Sequence, residues 1–171
     1  MQPNGGDRSS LFNDAYTHYS PAITCYLETK GIQDPEAAAQ DIFLDLYEQM
    51  ADYRGTLEGV RPLVFGIAYA RVTAQHRHLQ GVPVALEYLP GTDKRVSAAA
   101  EDAVVGQDSA AHLLADLAAE QREVMTLRVI GDLSIEQTAQ IMKKSPGAVK
   151  QLQRRALAAL RGAALKEGQC A

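Results

Sequence analysis

The chain has 171 residues, a formal net charge of −4, no tryptophan and only 6% aromatic residues. Alanine and leucine are abundant, which favours helices over sheets. No apolar run approaches the roughly 20 residues of a membrane span, and residues 1–10 lack the apolar core of a secretory signal. We therefore expect a cytoplasmic protein without membrane insertion.

Three helical patterns occupy the first half of the chain. The first covers residues 11–29, and Pro21 inside it predicts a kink or a division of the helix. The second covers residues 34–52, where Asp34 followed by a proline is typical of a helix start. The third is expected over residues 58–79.

The second half begins with a change of composition. Residues 81–107 contain prolines and glycines and keep no long helical period, which indicates a linker. Four more helices are expected, over residues 109–118, 119–130, 134–142 and 145–162. The sequence therefore predicts an all-α fold of two small helical domains joined by a flexible linker. The predicted division is a first domain of residues 8–80, a linker of residues 81–107 and a second domain of residues 108–166.

The last two predicted helices indicate a helix-turn-helix, the motif that places its second helix in the DNA major groove. Ser134 can cap the shorter helix, with Gln137 completing a capping box. After a brief turn, Ser145 and Pro146 form the cap and first turn of the longer helix. Ala139 is small where the two helices cross.

The last helix is predicted to have an apolar face and a cationic face. At about 100° per residue, the apolar face carries Val149, Leu152, Ala156 and Leu160. Residues 141–166 hold seven basic residues and no acidic one, whereas an ordinary solvated face usually mixes both signs. Side chains on the cationic face can reach phosphates and base edges. The candidate DNA-binding residues are Lys144, Gly147, Ala148, Lys150, Gln151, Arg154 and Arg155.

The second predicted helix has the opposite charge. Residues 34–58 hold seven acidic residues and one basic residue. Asp41, Asp45 and Glu48 form a stripe opposite the apolar face, which comprises Ala39, Phe43, Leu46, Tyr47 and Met50. Neighbouring like charges destabilise a helix slightly, a cost that a basic protein partner would offset. A merely solvated acidic face is the alternative.

Two stretches resemble the extracytoplasmic-function group of the sigma-70 family. Residues 117–142 (LAAEQREVMTLRVIGDLSIEQTAQIM), continued by GAVK at 147–150 and RRALAALR at 154–161, are similar to sigma region 4. Residues 40–47 (QDIFLDLY) and the YRG of 53–55 are similar to region 2. The sequence departs from the family at Ala148, where many members have threonine, and at Leu152-Gln153, where many have Arg-Leu.

The resemblance implies a sigma factor that directs promoter-specific transcription initiation as part of a regulated or stress response. It implies that region 4 reads the minus-35 element and contacts the flap of the second-largest polymerase subunit. Region 2 would bind a coiled coil of the largest subunit and capture the minus-10 element as a single strand. The implied polymerase contacts are Gln40, Asp41, Asp45 and Glu48. The implied minus-10 residues are Tyr53, Arg54, Arg71, Gln75 and Arg77. An anti-sigma factor is a further implied partner.

Other functions find little support in the sequence. No nucleophile elbow, phosphate loop or catalytic carboxylate pair is recognisable, so we expect no enzyme and no cofactor. His76 and His78 would point about 200° apart on a helix, which disfavours a shared metal ion. A helix-turn-helix regulator that acts without polymerase remains the alternative. Cys25 lies in an apolar helical pattern and is expected to be buried, and Cys170 lies in the terminal tail.

Overall fold

The structure is a computed structural model that describes residues 5–81 and 114–168. Within these ranges it contains six α-helices with described bounds and one 3-10 helix, and no strand, so the predicted all-α class is confirmed. None of these helices is long and apolar enough to cross a bilayer. The elements in chain order are α1 (Gly5–Thr29), α2 (Pro35–Gln49), the 3-10 helix (Met50–Asp52), α3 (Leu57–Leu79), α4 (Ala119–Val129), α5 (Ile135–Met142) and α6 (Pro146–Gly168).

The chain divides into two compact units, residues 1–88 and residues 89–171. Helices α1 to α3 belong to the first unit and α4 to α6 to the second. The predicted linker from residue 82 onward lies outside the described residues, as does the part of the predicted helix 109–118 before residue 114.

In the first unit each of the three helices buries one face against the other two. The Tyr26 and Phe65 rings meet edge-on with their centroids 6.0 Å apart, a favoured aromatic geometry. Burial of such side chains contributes about 1.5–3 kcal/mol each, so packing holds the bundle more than helix propensity does. The side chains at most 2% exposed include Ile23, Tyr26, Leu27, Ile42, Phe43, Leu46, Val64 and Phe65.

Helix α1 runs unbroken through Pro21, so the predicted division there is wrong. Proline removes one backbone donor and crowds the preceding turn. Tyr19 and Ile23 on either side are at most 3% exposed, however, and their burial holds this part of the helix in the core. The helix also begins at Gly5 rather than near Leu11.

Two side-chain caps start the other helices of this unit. The Asp34 carboxylate accepts a hydrogen bond from the backbone N–H of Ala37 at 3.0 Å, which confirms the predicted start of α2. The Thr56 hydroxyl accepts one from the backbone N–H of Gly59 at 3.3 Å and caps α3. Both caps satisfy donors that have no partner within the helix.

In the second unit, α4, α5 and α6 enclose a small core. The residues at most 2% exposed there include Val124, Leu127, Leu133, Ala139, Val149 and Ala156. Gly131 lies in the turn between α4 and α5, where an added Cβ would come 2.5 Å from the Leu127 carbonyl oxygen. Only glycine fits so close to the end of α4.

Two further expectations need correction. Cys25 is exposed rather than buried, because it lies on the side of α1 away from α2 and α3. Helix α6 continues to Gly168 instead of ending at Gly162. Alanine and leucine on both sides of Gly162 are strong helix formers, and they outweigh the penalty of about 1 kcal/mol for one helical glycine.

Candidate nucleic-acid and protein interfaces

Local hydrogen bonds build the helix-turn-helix. The Ser134 hydroxyl accepts from the N–H of Gln137 at 3.0 Å, and the Gln137 side chain accepts from the N–H of Ser134 at 2.9 Å, which confirms the capping box. Lys143 ends α5 in the left-handed region at φ 54° and turns the chain sharply. Ser145 then accepts from the N–H of Ala148 at 3.1 Å and starts α6. Hydrogen bonds between residues close in sequence therefore form the caps and the turn that join α5 to α6.

The two faces of α6 are divided as predicted. Val149 and Ala156 are 0% exposed, and Leu152 and Leu160 are half-buried. Ala148 is half-buried at the edge of the outer face. The exposed members of the predicted DNA-binding set on this face are Gly147, Lys150, Gln151, Arg154 and Arg155. The stretch from residue 146 to 166 carries no carboxylate, so this face offers cations and amide groups to a polyanion.

Lys144 differs from the other predicted DNA contacts. Its ammonium Nζ lies 2.7 Å from Glu120 Oε1 at the start of α4, and its side chain is only 21% exposed. The structure thus gives this cation a partner within the unit. The ion pair fastens the helix-turn-helix to α4.

Arg128, which the sequence did not single out, also ties α4 to the rest of the unit. Its Nε donates to Gln153 Oε1 on α6 at 3.1 Å, and its Nη1 donates to the backbone carbonyl of Leu133. Gln153 is a departure from the family pattern, where many members have leucine. Here its amide oxygen has a structural role on the side of α6 that faces α4.

Arg122 is a second arginine that sequence reasoning missed. Its guanidinium donates to the carbonyls of Leu114, Ala115 and Leu117 at 2.9, 2.7 and 3.0 Å. These carbonyls precede α4, and the one of Leu114 also accepts from the backbone N–H of Leu117 at 3.2 Å. Since the acceptors are backbone atoms, no residue type in the sequence signals the contact.

The acidic face of α2 is defined here as Gln40, Asp41, Leu44, Asp45 and Glu48. Four of these residues are exposed and Asp45 is half-buried. Leu44 lies among the acids with 64% of its surface exposed, and the sequence did not indicate this. A large apolar side chain surrounded by carboxylates suits a protein partner better than nucleic acid.

Arg71 on α3 lies against this face. Its Nε is 2.6 Å from Asp45 Oδ2 and its Nη1 is 3.7 Å from Asp41 Oδ2. The hydrogen bond to Asp45 raises the pKa of the Arg71 guanidinium further above its usual value, so this group stays charged. The structure therefore brings together residues predicted for two different partners, since Arg71 was assigned to the minus-10 set.

A groove of about 310 Å³ opens beside these ion pairs. Its lining includes the apolar residues Leu27, Ile32, Ile42 and Val72. Asp41, Arg71 and Gln75 contribute polar groups to the same groove. Arg71 and Gln75, two residues of the minus-10 set, are thus neighbours on α3.

The loop before α3 is ordered by Tyr53. Its hydroxyl donates to the carbonyl of Thr56 at 3.0 Å, and a Cβ added to Gly55 or Gly59 would lie 2.1 or 2.2 Å from that hydroxyl oxygen. Desolvation, with a smaller contribution from Tyr19, raises the pKa of the Tyr53 phenol. The ring is half-buried, so Tyr53 packs against the loop and keeps part of its surface open to a base.

The remaining minus-10 candidates lie at both ends of α3. Arg54, exposed near the start, donates to the carbonyl of Tyr53 at 3.1 Å. Gln75 and Arg77, also exposed, lie near the end. At a rise of 1.5 Å per residue, Leu57 and Gln75, which are 18 positions apart, are separated by about 27 Å along α3. These residues therefore form no single pocket, and they suit an extended strand that passes along α3.

Similarity to known proteins identifies the family. Residues 113–162 match the family model described as Sigma-70, region 4. The ECF RNA polymerase sigma factor ShbA of Streptomyces griseus is 33% identical over 165 residues, which cover 89% of this chain and 86% of ShbA. The chain belongs to the extracytoplasmic-function sigma factors.

Further comparisons agree with this assignment. The ECF sigma factor SigD of Mycobacterium tuberculosis is 31% identical over 180 residues, covering 97% of this chain and 82% of SigD. A solved structure of CnrH in complex with the cytosolic domain of CnrY matches with a TM-score of 0.59 and 20% identity. It covers 92% of this chain and 88% of CnrH, and it supports the all-helical fold.

As an ECF sigma factor, the chain directs promoter-specific transcription initiation, and its partners are RNA polymerase and promoter DNA. Sigma factors are DNA-binding regulators without catalysis of their own, and the region 4 match covers α4, α5 and most of α6. A regulator that works without polymerase is not favoured. Across residues 5–81 and 114–168, no three metal-ligating side chains come together.

Proposed function

We propose that the outer face of α6 in this sigma factor reads the minus-35 element in the major groove. The supporting observation is the exposure of Gly147, Lys150, Gln151, Arg154 and Arg155 along one side of a capped helix. Gln151 and the arginines can reach base edges, while Lys150 neutralises phosphate. Ala148 would touch the groove wall, and Lys144 would reach DNA only if it leaves Glu120.

The acidic face of α2 would bind the coiled coil of the largest polymerase subunit. Its carboxylates complement a basic helix, and the exposed Leu44 provides the apolar contact that gives such an interface its affinity. Gln40 would add a hydrogen bond at the rim. The second unit would contact the flap of the second-largest subunit.

The minus-10 element would pass along α3 as a single strand. Tyr53 offers a ring for stacking, and Arg54 and Arg77 offer exposed cations at the two ends of the helix. Gln75 and Arg71 would contact the strand between them. The wide separation of these groups suits several nucleotides instead of one flipped base.

Two anchors on one chain would act together. Residues 8–80 would bind polymerase and the minus-10 element. Residues 81–107 would then act as a tether that raises the effective concentration of residues 108–166 at the minus-35 element. The complex of CnrH with the cytosolic domain of CnrY supports an anti-sigma partner for this chain as well. Because polymerase is the partner, we place the activity in the cytoplasm.

Paired charge reversals test these assignments. The double variant Arg154→Glu/Arg155→Glu should abolish promoter-specific transcription by added core polymerase and leave core binding unchanged. The double variant Asp41→Lys/Asp45→Lys should lose core binding, measured by gel filtration with purified core. The promoter used in these assays is identified first, by transcribing genomic DNA with the wild-type holoenzyme and sequencing the start sites of the transcripts.

Matched controls separate these effects from general charge effects. Asp14→Lys/Glu28→Lys reverses two exposed acids on α1 and should keep core binding. Lys166→Glu reverses a base near the far end of α6 and should reduce transcription only slightly. Full transcription by both double variants would contradict the proposed surfaces.

A further inference from the structure

The guanidinium of Arg71 connects two surfaces that have different proposed partners. It lies 2.6 Å from Asp45 and 3.7 Å from Asp41, which belong to the acidic face of α2. Arg71 itself comes from α3, 26 residues further along the chain than Asp45. A cation proposed for DNA is therefore already neutralising carboxylates proposed for polymerase.

The pairing is accessible to solvent and can be exchanged. The side chain of Arg71 is 44% exposed, and those of Asp41 and Asp45 are 61% and 36% exposed. Exposed ion pairs of this kind change an equilibrium constant by no more than about fivefold. A basic side chain of a docking protein can therefore replace Arg71 at little cost, because it offers its own positive charge to Asp41 and Asp45.

No proton needs to move in such an exchange. The hydrogen bond to Asp45 raises the pKa of Arg71, and arginine without a partner is also charged at any physiological pH. The released side chain would therefore be a free cation beside Gln75, in the groove that both residues line. It would attract phosphate there.

We propose that Arg71 is an internal competitor for the acidic face of α2, which polymerase displaces, and that the displaced guanidinium then serves the minus-10 strand. This proposal rests on the proposed function, because it needs polymerase at Asp41 and Asp45. It makes polymerase docking the event that completes the DNA-binding surface of α3. Without polymerase, Arg71 stays paired with Asp41 and Asp45, and the sigma factor binds single-stranded DNA more weakly than it does in the holoenzyme.

The variant Arg71→Gln tests the competition in the full chain. Glutamine keeps a polar side chain but removes the competing charge, so binding to purified core polymerase should tighten about two- to fivefold. Saturated holoenzyme should nevertheless open a mapped promoter less well, read from permanganate reactivity of the unpaired thymines. Arg71→Lys keeps the charge and should stay near the wild type in core affinity. Equal or weaker core binding by Arg71→Gln overturns the proposal.

A double-mutant cycle distinguishes competition from a purely structural ion pair. Asp45→Asn should weaken core binding more in the Arg71→Gln background than in the wild type, since Arg71 no longer shields Asp45 there. Glu48→Gln, on the same face, should weaken core binding equally in both backgrounds. Equal effects of Asp45→Asn in the two backgrounds would leave Arg71 with no role as a competitor.

Failure of this inference is separable from failure of the proposed function. If Asp41→Lys/Asp45→Lys binds core as the wild type does, the acidic face is not the polymerase contact and both proposals fall. If that variant loses core binding while Arg71→Gln gains none, only the competition is wrong.

Discussion

Gln153 on α6 accepts a hydrogen bond from Arg128 on α4 across 3.1 Å, so a polar contact holds the side of α6 opposite its proposed DNA-reading face. The two residues are 25 positions apart in the chain. Since Arg128 also donates to the carbonyl of Leu133, one guanidinium fixes both the turn after α4 and the position of α6. Two glutamines two residues apart therefore differ: Gln153 is bonded within the unit, whereas Gln151 is exposed on the proposed DNA-reading face.

Replacing these glutamines separately should show this difference. Gln153→Ala removes the acceptor of Arg128 and should lower the free energy of unfolding by about 1 kcal/mol, measured by urea denaturation. Gln151→Ala lies on the exposed face and should change stability by less than about 0.5 kcal/mol, while it weakens binding of holoenzyme to the minus-35 element. The reverse ranking would contradict the assigned faces of α6.

The ion pair of Lys144 with Glu120 predicts that the two lysines of the predicted DNA-binding set, Lys144 and Lys150, contribute unequally to the salt dependence of DNA affinity. A lysine that binds phosphate contributes about one unit to the slope of log affinity against log salt. Lys150→Gln should therefore lower the slope measured with duplex DNA by about one unit. Lys144→Gln should lower it much less, because its ammonium is engaged at 2.7 Å within the unit.

Glu120→Gln serves as the complementary variant. Glu120→Gln frees Lys144 and does not itself remove a proposed DNA contact. Lys144→Gln made in the Glu120→Gln background should therefore lower the salt slope by more than Lys144→Gln does in the wild type. A full unit lost by Lys144→Gln alone would show that Lys144 leaves Glu120 when DNA binds.

The loop before α3 predicts a specific rescue. Gly59→Ala places a Cβ 2.2 Å from the Tyr53 hydroxyl oxygen, while the next ring atom is 3.5 Å away. The side chain must then leave its hydrogen bond to Thr56, at a cost of about 1 kcal/mol. In a Tyr53→Phe background the oxygen is gone, and Gly59→Ala should cost much less when stability is measured by thermal unfolding.

Gly55→Ala is the matched control for that rescue. Its added Cβ would meet the ring carbon Cζ at 2.4 Å as well as the hydroxyl oxygen. Removing the hydroxyl leaves this clash in place, so Tyr53→Phe should not restore stability to Gly55→Ala. Equal rescue of both alanine variants would mean that the ring moves freely out of the loop.

The sequence predicts those parts of this molecule that depend on near neighbours. Asp34, Ser134 and Ser145 each cap a helix through atoms within three residues, and all three caps are confirmed. Helical periodicity likewise predicts the buried Val149 and Ala156.

Contacts between helices could not be predicted in the same way. The pairs Arg71–Asp45 and Arg128–Gln153 depend on how whole helices pack, and nothing local to either residue encodes its partner. Pro21 is the converse case. A proline locally favours interruption of a helix, but burial of Tyr19 and Ile23 keeps α1 continuous.

Cys25 gives a prediction that depends on pH. Desolvation and the nearby carboxylate of Glu28 raise the pKa of this thiol above its ordinary value. The reactive thiolate is then a smaller fraction at any pH below that pKa. In a Cys170→Ser background, iodoacetamide should alkylate Cys25 more slowly at pH 8 than it alkylates an unstructured cysteine peptide, and the rate should rise at higher pH than for the peptide. Glu28→Gln removes the carboxylate and should speed the reaction modestly, since desolvation remains. An alkylation profile that matches the free peptide would contradict the raised pKa.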